Sequence, residues 1–160
     1  MVGKQRAMQL QYEKILYGDT DTQLAGRHLF EQLQSSQQLK GAVVTLSGEL
    51  GAGKTTFTRG FIQASGYQGA VKSPTYTLIE TYTTASGGIC HLDLYRLEDP
   101  EELDFIGFRD LLEADNILLI EWPERVASVA GLATVNIQIE HRGAESRLIR
   151  VSSARAAESA

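Results

Sequence analysis

The sequence predicts an α/β domain of three layers, with a mixed, mostly parallel central sheet and antiparallel hairpin additions. Three features carry that expectation. A short β-branched run over 42–46, Ala-Val-Val-Thr-Leu, leads into a glycine-rich loop and then into a helix-forming segment. A second apolar run, Ile117-Leu118-Leu119-Ile120, is apolar throughout, as a strand buried on both faces must be, and belongs beside the first in the sheet. Alternating Thr/Tyr/Ile-rich segments, broken by Gly-containing turns, read as hairpins.

Taken in order, 1–8 reads as a loose arm and 11–17 as a first strand. A helix is expected over 21–34: Thr20 and Gln23 have capping-box spacing, and Leu24, Ala25, Leu29 and Leu33 recur at helical intervals. The helix after the glycine loop carries Phe57 and Phe61 on one face. Pro74 holds 71–75 extended. A strand over 76–83, a turn at Ser86-Gly87-Gly88 and a partner strand over 89–95 follow. Asp99-Pro100-Glu101-Glu102 starts a helix with the capping residue, proline and acids that its positive end favours, and Gly107 is a point of interruption. After the strand at 117–121, strands at 134–139 and 147–151 flank Arg142-Gly143-Ala144. The small, polar segment 152–160 is expected to be flexible.

A chain of 160 residues suits a single domain spanning 1–160, and its 42% apolar and 22% charged content is that of an ordinary globular protein. The net charge of −5 argues against a broad electrostatic grip on DNA or other nucleic acid, although a local basic patch stays open. The one cysteine, Cys90, allows no intrachain disulfide and fits a reducing cytoplasm. No signal peptide is predicted, and no apolar run approaches the ~20 residues of a membrane span.

Gly48-Glu49-Leu50-Gly51-Ala52-Gly53-Lys54-Thr55 fits G-x-x-x-x-G-K-[ST], the phosphate-binding P-loop. The glycines let backbone amides wrap an anion, and the following helix points its positive end at it. Lys54 supplies a mobile charge for the β- and γ-phosphates, and the Thr55 hydroxyl is suited to ligate Mg²⁺. With this loop the expected fold is that of a P-loop nucleoside triphosphatase.

Two acids are candidates for metal or water. Glu121 ends a strand in the form of a Walker B segment, at the strand end that faces the ligand crevice of an open α/β sheet. Asp93 lies between Leu92 and Leu94, which point to the opposite face, so it needs a partner. His91 is expected on the other face from Asp93, in a structural role. Trp122 stacks on a partner, covers the site or simply packs. Lys72, Ser73 and Thr75 lie in a proline-held loop that is either a γ-phosphate sensor or a plain connection.

Together these motifs resemble the TsaE family (formerly YjeE). The resemblance runs over about 15–150 and rests on the P-loop extended to Thr56, on Val71-Lys72-Ser73-Pro74-Thr75-Tyr76-Thr77-Leu78, on His91-Leu92-Asp93-Leu94-Tyr95-Arg96-Leu97, and on Ile120-Glu121-Trp122-Pro123. Pro100-Glu101-Glu102-Leu103 also fits. The family resemblance implies ATP as the nucleotide, weak ATPase activity, and action with TsaB and TsaD in threonylcarbamoyl modification of the tRNA adenosine next to the anticodon. The tRNA would be reached only through that complex. It further implies that Glu49, Leu50, Gly51, Ala52, Gly53, Lys54, Thr55 and Thr56 bind nucleotide. Thr55 and Glu121 would hold Mg²⁺, Lys54, Asp93 and Glu121 would serve hydrolysis, and Asp19 would lie near the adenine. Whether Asp93 or Glu121 orients the water stays open. A small-molecule kinase and an ATP-gated assembly factor are the alternatives. The first lacks an expected arginine-bearing lid and acceptor cluster, and the second treats hydrolysis as incidental.

Overall fold

The computed structural model describes residues 9–154. The predicted arm at 1–8 and the end of the chain beyond 154 lie outside that range. Within it, the strands are β1 (Gln11–Tyr17), β2 (Val43–Ser47), β3 (Ile79–Thr84), β4 (Gly87–Asp93), β5 (Ile117–Glu121), β6 (Val135–His141) and β7 (Ser146–Ser153). The helices are α1 (Gly18–Ser35), α2 (Lys54–Ala64), α3 (Glu102–Phe105), α4 (Phe108–Glu113) and α5 (Ala127–Ala130). All strands join one seven-stranded sheet in the order β1-β7-β6-β2-β5-β4-β3. The central strands β6, β2, β5 and β4 are parallel, and β1, β7 and β3 add antiparallel edges.

Side-chain alternation divides the core in two. Ile89, Ile117, Leu119, Val44 and Leu46 face α1 and α2, where Phe30 and Phe61 meet edge to face with ring centroids 5.3 Å apart. Cys90, Leu92, Leu94, Leu118 and Ile120 face the other layer, with Leu103 of α3, Phe108 of α4 and Val129 of α5. The layering is therefore helix–sheet–helix, as predicted.

The chain departs from its sequence pattern in a few places. α1 begins at Gly18 rather than 21, and Thr20 does not cap it: the Asp21 carboxylate accepts the Tyr17 N–H at 2.9 Å. The β3–β4 turn is Ala85-Ser86, and Gly87 already pairs with Thr84, because a two-residue loop keeps the hairpin in register. Gly107, at φ 72°, splits the predicted helix into α3 and α4. The expectation of flexibility from 152 onward fails at its start: Ser152 and Ser153 complete β7, opposite Gln11 and Asn136 and opposite Val135 respectively. Small polar residues carry no strand propensity, but pairing on both sides overrides it. No helix among the described residues is long and apolar enough to cross a membrane.

Candidate nucleotide site

The site forms where parallel strands end together. Leu46 of β2, Glu121 of β5 and Asp93 of β4 lie in one row across the sheet. Past that row the backbone of β2 turns into the glycine loop, and α2 starts at Lys54 with Gly53 at its N-cap. No side chain caps α2, so the first amides of the helix have no intrahelical partner and open on the cleft. Gly53 adopts φ +110°, a left-handed conformation that glycine takes without strain. Leu50, Gly51, Gly53, Lys54, Thr55 and Thr56 line the cleft from the loop side, and Thr75, Asp93, Glu121, Trp122 and Arg147 line it from the sheet side. Glu49 and Ala52 do not line it. Glu49 contributes its carbonyl, and Ala52 is buried beneath the loop.

The Lys54 ammonium donates to the carbonyl oxygens of Gly48 at 2.5 Å and Glu49 at 3.0 Å. It also lies 4.3 Å from the centroid of the Trp122 ring. Burial pushes its pKa below the ordinary lysine value, and the carboxylates of Glu121, Asp93 and Glu124 oppose that shift. Trp122 holds φ 58°, costly for a bulky residue, while its N–H donates to Leu46 O at 3.2 Å and its ring rests 4.9 Å from that of Tyr95. This strained turn aims the ring over the lysine.

The Thr55 hydroxyl lies 3.2 Å from Glu121 Oε2 and 3.4 Å from Oε1. The other lone pairs of this buried carboxylate meet His91, whose Nε2 is 2.5 Å from Oε2. The expectation that His91 faces away from Asp93 is therefore incorrect. Residues two apart on a strand share a face, so Ile89, His91 and Asp93 all point toward the α2 side. Asp93 has the partners its burial requires: Oδ1 accepts the Tyr95 N–H at 3.0 Å, and Oδ2 accepts the Thr75 hydroxyl at 3.2 Å. Burial nonetheless raises the Asp93 pKa above the usual carboxylate value. The Tyr95 hydrogen bond opposes the rise, nearby Glu121 adds to it, and the Thr75 hydrogen bond and His91 lower it. Thr75 thus joins the site, whereas Lys72 and Ser73 do not line it.

Asp19 reaches the site only through Arg147, a residue the motif reading missed. Arg147 Nη1 donates to Thr22 Oγ1 at 2.8 Å, and Nη2 lies 3.2 Å from Asp19 Oδ1. Its guanidinium lies so close above Gly53 that a Cβ there would come within 2.8 Å of it. The topology explains the meeting. β7 runs antiparallel to β6, so its first residues lie where the parallel strands end, and β1, antiparallel to β7, delivers α1 to the same end. The signal was present in the sequence: Arg147 alternates with Ile149 and Val151, an arginine on a core-facing stripe.

Mg²⁺ favours oxygen ligands and is bound through one or two carboxylates together with phosphate and water. The Thr55 hydroxyl and Glu121 carboxylate fit that donor set. Among the described residues no group of three or more His, Cys, Asp or Glu side chains is arranged to hold a metal by itself.

A family model described as "Threonylcarbamoyl adenosine biosynthesis protein TsaE" matches residues 17–149. A tRNA threonylcarbamoyladenosine biosynthesis protein TsaE of Haemophilus influenzae is 49% identical over 116 residues, covering 72% of this chain and 73% of that protein. The protein of the same name from Aquifex aeolicus is 38% identical over 120 residues, covering 74% of this chain and 81% of its own. A crystal structure of Bacillus subtilis YdiB superposes with a TM-score of 0.66 at 26% identity, over 91% of this chain and 87% of that one. The family match spans the loop, the strand acids and Arg147 alike, and on this ground the chain belongs to the TsaE family.

Proposed function

We propose that this chain is a cytoplasmic, Mg²⁺-dependent ATP-binding and ATP-hydrolysing accessory protein of tRNA threonylcarbamoyladenosine biosynthesis. It acts with TsaB and TsaD, reaches tRNA only through them, and does not itself transfer the threonylcarbamoyl group. The names of its relatives support the pathway. The observation that carries the ATPase reading is the convergence of Lys54, Thr55, Asp93 and Glu121 on one cleft at the uncapped start of α2.

Hydrolysis in such a site is mostly positioning and neutralisation of charge. The open amides of α2 and the Lys54 ammonium take the phosphates, and the lysine leaves the carbonyls of Gly48 and Glu49 to do so. Thr55 and Glu121 would hold Mg²⁺, which when bound neutralises phosphate charge. With Glu121 given to Mg²⁺ and held by Thr55 and His91, Asp93 takes the water on the lone pairs that its bonds from Tyr95 and Thr75 leave free. Its raised pKa suits a group that accepts a proton. The water oxygen bonds to the γ-phosphorus as the bond to the β,γ-bridging oxygen breaks, and ADP and phosphate leave. Arg147, above Gly53, is placed to meet nucleotide charge from the opposite side.

The test is ATP hydrolysis by the purified chain with Mg²⁺, alone and with TsaB and TsaD. Low basal turnover that rises with the partners is expected. Lys54→Ala should weaken nucleotide binding roughly ten- to hundredfold, the worth of a lost charge-assisted hydrogen bond. Normal turnover in that variant would reject the site. Phosphate appearing on an added metabolite would favour a kinase, and full tRNA modification with a hydrolysis-dead Asp93→Ala would favour an ATP-gated assembly factor.

A further inference from the structure

The His91 imidazole is the most enclosed polar group in the site. It is 0% exposed, sits on a strand with a parallel neighbour and does not itself line the cleft. Nε2 meets Glu121 Oε2 at 2.5 Å, while Nδ1 has no hydrogen-bond partner among the described residues. An orphaned N–H would be the more costly vacancy, so the tautomer with its hydrogen on Nε2 satisfies this arrangement, and Nε2–H donates to the carboxylate. The ring is fully buried, between Ile89 and Asp93 along its strand, on the sheet face that Ile89 shares with α1 and α2.

Glu121 needs such a hold. It is the last residue of β5, and beyond it Trp122 makes one more bond to β2, its N–H donating to Leu46 O at 3.2 Å, before its left-handed conformation turns the chain away from the sheet. Thr55 reaches the carboxylate at 3.2 and 3.4 Å, distances that steer it only loosely. The short contact from His91 therefore decides which way the carboxylate faces. We infer that His91 is a positioning residue that locks the Glu121 carboxylate toward Thr55 and thereby sets how well the site holds a divalent cation with its nucleotide. This rests on the reading of Glu121 as a Mg²⁺ ligand. Outer partners of this kind hold a ligand in its binding rotamer, and losing one typically costs about 10- to 100-fold in metal affinity.

The test uses the full chain and a fluorescent ADP analogue, with its affinity measured once in Mg²⁺ and once in EDTA. The ratio of the two dissociation constants reads the contribution of the metal separately from that of the loop. His91→Leu removes the donor and should shrink the ratio roughly tenfold or more, leaving the affinity in EDTA unchanged. His91→Gln can place an amide N–H where Nε2 stood and should restore most of the ratio. His91→Asn is one methylene shorter and should not. If the leucine variant fails to fold by circular dichroism, the Gln/Asn pair alone decides. Glu121→Gln is the reference for the underlying reading. If it shrinks the ratio while His91→Leu and His91→Asn leave it intact, the positioning role is overturned and the metal site stands. If Glu121→Gln also leaves the ratio unchanged, both are overturned.

Discussion

The two faces of the central sheet are built from the same strands and do different work. On the face toward α3–α5, β4 presents Cys90 and Leu92, followed by Leu94 just past its end, to an apolar layer whose helices are short and interrupted. On the face toward α1 and α2, the same strand presents Ile89, His91 and Asp93, and apolar residues give way to paired polar ones only near the strand end. That face also carries the tightest helix contact. A Cβ on Gly26 would come within 2.0 Å of Phe57 O, and one on Gly60 within 1.9 Å of Gln23 O. The site is thus mounted on the layer where two helices approach most closely: α2 supplies Lys54 and Thr55, and α1, pressed against it, supplies the Asp19–Thr22 seat of Arg147. The opposite layer supplies burial and a backing for Trp122, the one lining residue packed against its apolar cluster.

The sharpest way to break this comparison is Gly60→Ala. The added Cβ would meet Gln23 O, C and Cα at 1.9, 2.6 and 2.7 Å, all of them backbone and none able to rotate away, so the variant should lose more than about 3 kcal/mol, the upper end of ordinary overpacking costs. The melting temperature should fall by on the order of 10 °C. Nucleotide affinity should fall with it, because separating α1 from α2 disturbs both sides of the cleft. A calorimetric melt and a nucleotide titration check the two halves, and unaltered binding would mean that the helix pair does not set the site.

Leu92→Ala tests the other face. Truncating a fully buried leucine should cost about 3 kcal/mol, read by urea unfolding, yet leave nucleotide affinity unchanged where the protein remains folded. A loss of affinity comparable to the loss of stability would erase the distinction between the faces.

The smallest effect expected is a gain. Burial raises the Asp93 pKa, so the fold disfavours its charged form. Above that raised pKa the unaltered protein carries the whole cost, which declines as pH falls through it and is gone only below the ordinary carboxylate value, where the unfolded chain is protonated too. Asp93→Asn keeps an acceptor for Tyr95 and a polar partner for Thr75. It should therefore raise the melting temperature slightly at neutral pH, by less than about 1 kcal/mol of stability, with the gain vanishing on acidification. Melts followed from neutral to acid pH would contradict this if the variant were less stable at neutral pH.

Much of the site could be read from residues close together in the chain. The loop from Gly48 to Thr55, the strand that ends in Glu121, and Asp93 were found because each is a local pattern with a chemical requirement. Misreadings arose where a neighbouring strand intervenes. Ser152 and Ser153 lie in β7 because β1 and β6 pair on either side of it. His91 could have been assigned correctly from the two-residue period alone, but its partner is 30 residues away and no local pattern names it. Arg147 shows the same limit, since it is separated from Thr22 by 125 residues.

The sequence by itself therefore determined the layered α/β class, the order of most elements, the glycine loop between β2 and α2 and the two acids at strand ends, because hydrophobic period and glycine placement act over a few residues. Tertiary structure decided which of these converge. The row of Leu46, Glu121 and Asp93, the His91 contact that orients Glu121, and the Arg147 guanidinium over Gly53 follow from strand order and register. Those are fixed by pairing and burial across the whole sheet, not by any stretch of chain read alone.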